Sequence, residues 1–215
     1  MNASKAKENI LKKIRQALAQ PVPVPFPQSE GNDSVFQPSV EEMTVEFAEN
    51  FTKLLGKFSY CANISDLAVQ LATLASLRKW EKLFCREPQL KYLLNTNGYS
   101  NFEYPDLNTC DASITSCESL IARTGSIVLS SGLKSGRSTS VYAPVHICIA
   151  YTNQLVYDIK DSLQQLKDRY AEDLPSLITL ATGPSRTADI EKTLVVGVHG
   201  PKEVFLFLVE SEGVS

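Results

Sequence analysis

Residues 182–201 read TGPSRTADIEKTLVVGVHGP, and this segment sets the terms for the rest of the chain. Gly183-Pro184 forces a turn, because glycine supplies free φ and proline fixes it. Ser185, Arg186 and Thr187 then present two hydroxyls and a fork of cationic donors. Ala188, Asp189 and Glu191 read as a short helical turn with acids near its positive end. Leu194–Val198 has buried-strand composition with a glycine inside it, and His199-Gly200-Pro201 closes with another forced turn. Two readings suit these residues. One is a glycine-opened loop that holds a carboxylate or phosphate. The other is a capped helix running into a strand, with Arg186 in a structural ion pair.

Outward from this segment the chain alternates strand and helix. Leu177–Leu180 is a predicted strand that delivers it, and Glu203–Val209, EVFLFLV, is the strand that follows. Upstream, strands are predicted at Lys57–Cys61, Trp80–Cys85, Ala112–Thr115, Ser126–Leu129 and His146–Tyr151. Helices are predicted from Ser39, whose S-x-x-E run is a capping box, to about Leu55. Others follow Asn63 or Ser65, begin at Pro88, cover Ser116–Ala122, and span Asp158–Tyr170. Thr124-Gly125 is a tight turn. This is the pattern of an α/β domain with a mostly parallel sheet and helices on its faces. Ligands in such sheets sit at the carboxyl ends of strands. Leu129, Tyr151 and Leu180 are predicted strand ends that run into polar loops.

Residues 4–19 form an amphipathic helix with Ile10, Leu11, Ile14, Ala17 and Leu18 on one face. PVPVPFP at 21–27 stops it in an extended, polyproline-like stretch. The expected organisation is therefore a helix and proline-rich linker over 1–38 and an α/β domain over 39–215. The helix either packs on a partner or another subunit, or folds back on its own domain.

With 215 residues, 43% hydrophobic, 21% charged and a net charge of −3, the composition is that of an ordinary globular protein. The absence of a basic block argues against nucleic acid as the main partner. No apolar run is long enough to span a bilayer, and the N-terminus has no secretory h-region. The five cysteines fall in no C-x-x-C pair and give no zinc or iron–sulfur spacing. They read as reduced thiols of a cytoplasmic protein; Cys110 and Cys117 flank the region of interest.

A second loop has similar chemistry. Gly132, Lys134, Gly136, Arg137 and Ser138 resemble an anion cradle, although the P-loop order fails and no G-x-G-x-x-G is present. Arg137 and Arg186 together can grip a carboxylate; singly, each suits a solvated surface position. His146 suits a satisfied core histidine. His199, beside a glycine, leaves space for a ligand, and the two histidines with Asp189, Glu191 or Asp111 can make a metal site or an acid–base pair, although their spacing demands neither. Ser185 lacks a G-x-S-x-G context, so a hydrolase triad is unsupported.

The run from Gly183 to Pro201, with Thr124-Gly125, Gly136-Arg137 and Pro144-Val145-His146, resembles the lactate-utilization LutC/YkgG family of LUD domain proteins. One departure is Arg123, where that family often has Glu. The resemblance implies a NagB/RpiA/CoA-transferase-like fold and a part in oxidising L-lactate to pyruvate. It implies iron–sulfur and cysteine-rich partner subunits that carry the clusters, with no cofactor in this chain. Three functions are consistent with these residues. In a lactate-oxidising complex, Arg186 would clamp a small anion, with Gly183, Ser185, Thr187, Arg137, Thr124, Gly125 and His146 around it and His199 as acid–base. In a stand-alone enzyme on an isomerase- or CoA-transferase-like scaffold, Glu191 or Asp189 would be the general base toward a phosphorylated or thioester substrate. In a non-catalytic scaffold these loops would be structural.

Overall fold

The structure, a computed structural model, describes residues 5–19, 41–187 and 195–211. It divides into two units, Met1–Gln37 and Pro38–Ser215. In the first, α1 spans Lys5–Leu18. Ile10, Leu11 and Ile14 lie exposed along it.

The second unit begins with α2 (Met43–Lys53). Its N-cap is Glu42, without a side-chain cap bond, so the helix starts later than the capping box at Ser39 suggests. Phe47 and Phe51 are fully buried and stack at 5.5 Å, each contributing about 1.5–3 kcal/mol by burial. Strand β1 (Lys57–Cys61) follows. Helix α3 (Ile64–Arg78) is opened by Asn63, whose Oδ1 accepts the Asp66 N–H at 2.9 Å. Strand β2 (Leu83–Cys85) is shorter than expected. Helix α4 (Pro88–Thr96) starts at a proline that loses no helical bond there. Strand β3 spans Ala112–Thr115.

The predicted helix over Ser116–Ala122 is instead strand β4 (Ser119–Ile121), followed by a 3₁₀ turn at Ala122–Thr124. Leu120 and Ile121 are both fully buried and point to opposite faces, a pattern a strand between two layers satisfies and a surface helix does not. Gly125 turns the chain at φ 61° into β5 (Ser126–Ser130). A short helix α5 (Thr139–Tyr142) precedes β6 (Val145–Tyr151). Then come β7 (Leu155–Val156), α6 (Ile159–Tyr170) and β8 (Ile178–Ala181). Asp158 caps α6 by accepting the Lys160 N–H at 3.2 Å. Leu166 and Ser162 face inward on α6, whereas Leu163 is exposed. Strand β9 (Arg186–Thr187) pairs antiparallel with β10 (Val195–Val196) as a two-rung hairpin, and β11 (Glu203–Val209) follows.

Five strands form a parallel sheet in the order β1-β11-β6-β3-β2. Ile147, Ile149, Phe205 and Phe207 point to the side of α3 and α4. Cys148, Ala150, Leu206 and Leu208 point to the other side, where Phe47 and Phe51 of α2 join the core. That side also carries a second, mixed sheet, β7-β4-β5-β8, whose Leu120, Ile127 and Leu129 close the same core. Helix α6 covers the far face of this second sheet through Leu166 against Ile121, Val128 and Val156.

Candidate functional site

Strands β6 and β11 are paired neighbours, and both are entered through a proline. Pro144 precedes β6, Pro201 lies two residues before β11, and the Lys202 N–H donates to the Pro144 carbonyl at 2.8 Å. The site lies at this amino end of the two strands. It also meets the carboxyl ends of β5 and β8, where Leu129 and Leu180 line it as expected of strand ends, whereas Tyr151 does not line it. The chain passes from β8 of the second sheet through β9 and β10 to β11 of the first, so residues of both sheets meet at the cleft.

The hairpin's root is fixed by its backbone. The Ser185 N–H donates to the Pro201 carbonyl at 2.9 Å, and the Gly197 N–H donates to the Ser185 carbonyl at 2.9 Å. Gly183 has φ 81°, and any side chain there would collide with the carbonyl oxygen of Leu54 at the end of α2. Gly200 brings its backbone against the Ser185 side chain, where an added Cβ would sit 3.0 Å from the serine Cβ.

Together these turns wall a cleft of about 410 Å³ lined by His146, Ser185, Arg186, His199 and Val141 among others. His146 forms its floor. It is 1% exposed, and its Nε2 shares a hydrogen bond of 2.8 Å with Thr115 Oγ1. Burial pushes its pKa down to about 4, so the ring is neutral at neutral pH. His199 is exposed on the rim, as is Arg186. Among the described residues Arg186 makes no ion pair, and no carboxylate lines the cleft. The cleft thus pairs a neutral ring in its floor with an unneutralised guanidinium at its rim, which suits an anion.

The structure gathers Gly183, Ser185, Arg186, His146 and His199 here. Thr187 is placed in β9 opposite Val195. Asp189 and Glu191 lie outside the described residues. Thr124 and Gly125 do not line the cleft. They brace it: Thr124 Oγ1, Ser126 Oγ and Thr182 Oγ1 form a chain of 2.8 Å hydrogen bonds, and Gly125 packs on the backbone of Phe51. Arg137 is also elsewhere, with its guanidinium on Ser176 Oγ. Arg123 pairs with Asp158 at 2.7 Å, so this departure from the family pattern ends in a structural ion pair that holds the acid's pKa below the ordinary carboxylate value.

Residue patterns did not single out Thr115, Val141 or Lys202, which the fold brings to the floor, wall and far edge of the cleft region. The buried Glu118 was also missed; it accepts from Ser130 Oγ, from Tyr170 Oη at 2.7 Å and from Arg169. A separate groove of about 380 Å³ between β1 and α3 is walled by Val69, Leu74 and Leu77. Its one cation, Lys57, is paired with Glu203. Among the described residues, no group of three or more His, Cys, Asp or Glu gathers to hold a metal ion. No helix there is long and apolar enough to cross a membrane.

A family model for the LUD domain matches residues 100–209, from the loop after α4 through β11. The chain belongs to the LUD domain family. Similar to this LUD domain chain is Lactate utilization protein C of Halalkalibacterium halodurans, 40% identical over 129 residues, covering 59% of this chain and 55% of that protein. Lactate utilization protein C of Bacillus licheniformis is 37% identical over 99 residues, covering 45% and 41%. The LUD domain chain spans about half the length of the curated relatives it matches. Among solved structures, a DUF162 family protein from Deinococcus radiodurans matches with a TM-score of 0.57 at 18% identity, over 78% of this chain and 96% of that one. The fold is therefore shared, with the cleft residues inside the matched family segment except for the Leu54 seat.

Proposed function

We propose that this LUD domain protein serves lactate utilization as a subunit of an L-lactate-oxidising assembly, and that its cleft binds a small carboxylate. The observation that carries the reading is a cleft in which, among the described residues, no carboxylate lines the wall and Arg186 makes no ion pair. Its relatives named Lactate utilization protein C supply the metabolic setting. Arg186 would hold the carboxylate through charge-assisted hydrogen bonds. Ser185 Oγ would orient it, and neutral His146 would accept or donate one bond without adding charge. His199, solvent-facing at the rim, would exchange a proton with the substrate hydroxyl or keep it oriented. Electrons would leave through iron–sulfur and cysteine-rich partner subunits.

Two measurements test this. Titration of L-lactate and pyruvate into the purified chain should show saturable binding that Arg186→Ala weakens by about 10- to 100-fold while the circular dichroism spectrum stays the same. Cells carrying that variant should lose lactate-dependent growth. Normal growth on lactate with Arg186→Ala would overturn the assignment.

A further inference from the structure

The cleft does not end at His199. A second concavity of about 490 Å³ abuts it and shares Val141, His199 and Gly200 as a common wall. Lys202 and Tyr142 line this second lobe, both exposed, and among the described residues no carboxylate lines it. Among the described residues Lys202 makes no ion pair.

Both cations are set from one rung of backbone. Arg186 follows Ser185, whose carbonyl takes the Gly197 N–H at 2.9 Å. The aliphatic stem of Lys202 runs across Gly197, where any side chain would strike it. Gly197 thereby lets the lysine lie close to the rung that fixes Arg186, one cation in each lobe, with His199 between. Each lobe alone is within the size range of ordinary small-molecule pockets. A three-carbon acid at Arg186 leaves the second lobe empty and Lys202 unneutralised.

Building on the anion-binding reading above, we propose that the two lobes bind a single ligand with two anionic groups, a dicarboxylate or a phosphorylated hydroxy acid. One group sits on Arg186, the second on Lys202, and the atoms joining them cross beneath His199. A monocarboxylate such as lactate occupies only the first lobe. In the chemistry of an assembly, this makes the chain a place where a larger acid competes with the three-carbon one for Arg186.

Calorimetric titration of the full chain at low ionic strength with L-lactate, L-malate and phospholactate tests it. Malate or phospholactate should bind about tenfold tighter than lactate, as expected for one added charge-assisted contact. The gap should narrow at high salt, because both cations face solvent. Lys202→Met keeps the stem over Gly197 and should collapse the ratio toward one. Lys160→Met, an exposed lysine on α6, should leave the ratio as it is. Equal affinities for lactate and the dianions, or a ratio that survives Lys202→Met, overturns the two-anion proposal while leaving a lactate site at Arg186 intact. Failure of every acid to bind overturns the anion-binding reading as well.

Discussion

The loop over 131–138 and the hairpin over 182–201 carry the same vocabulary of glycine, arginine and hydroxyl, yet only the second builds a cleft. The difference is in where each loop's polar groups go. In the first loop several of them bond to the surrounding scaffold, although Lys134 is exposed. Ser130 Oγ accepts the Gly132 N–H at 3.0 Å and donates to buried Glu118, Gly132 packs on Tyr170, and Arg137 reaches Ser176. In the hairpin the backbone is tied down, through Pro201 and Gly197, while the side chains of Arg186 and His199 are left facing solvent. A loop whose side chains are consumed by its own scaffold is structural; one held by its main chain has side chains to spare.

The sharpest way to break this comparison is at a glycine in each loop. Gly183 and Gly136 both have positive φ, at 81° and 73°. At Gly183 an alanine meets the Leu54 carbonyl as well, and Gly183→Ala should cost roughly 3 kcal/mol or more. At Gly136 the nearest atom is an Arg86 guanidinium nitrogen at 3.5 Å, so Gly136→Ala should cost only the left-handed strain, about 1–2 kcal/mol. Urea denaturation of both variants decides it; equal losses would erase the distinction.

The floor under the hairpin predicts a second effect. His146 has a folded pKa of about 4 against an unfolded value near 6.5. The unfolded chain therefore binds the extra proton first as pH falls. The stability this neutral ring retains above pH ~6.5 is lost progressively down to about pH 4, by about 3 kcal/mol at most. Denaturation midpoints at several pH values should show a steep decline that flattens in His146→Gln. An unchanged slope would mean other groups dominate.

A smaller effect separates the two arginines. Arg186→Ala should weaken L-lactate binding by about 10- to 100-fold, the worth of one charged hydrogen bond. Arg137→Ala should change it less than about twofold, since its partner is Ser176. The smallest effect is expected at Arg123, whose pair with Asp158 is partly solvated. Arg123→Ala should cost less than about 1 kcal/mol above the acid's titration range. That stability disappears as pH falls through the lowered pKa of Asp158. Binding of lactate at neutral pH should be unaffected.

Most strands were legible because their residues are buried on both faces, as in EVFLFLV, where composition alone gives the element away. Lys57–Cys61 and Ala112–Thr115 fall where composition places them. Ser116–Ala122 was not legible: polar Ser119 is buried because Ser162 of α6 meets it at 2.7 Å, a partner 43 positions away. The second sheet is not legible for a related reason: β4 is only three residues and the sheet's order depends on pairings no local pattern encodes. In the site, Gly183, Ser185 and Arg186 were legible from a forced turn followed by donors. Thr115 and Lys202 were not, because a lone threonine ending a strand and a lysine after a proline have no local signal; only the pairing of β3 with β6 and the crossing of Gly197 give them a place.

The seat of Gly183 on Leu54 has one practical outcome. The family segment starts at residue 100, but the floor beneath the hairpin's first turn is a carbonyl of α2, and β11's outer neighbour is β1. A fragment trimmed to the family boundaries would expose one flank of its central strand and leave the cleft's entrance turn resting on nothing. A fragment that keeps both of these supports therefore has to reach back to α2, which starts at Met43.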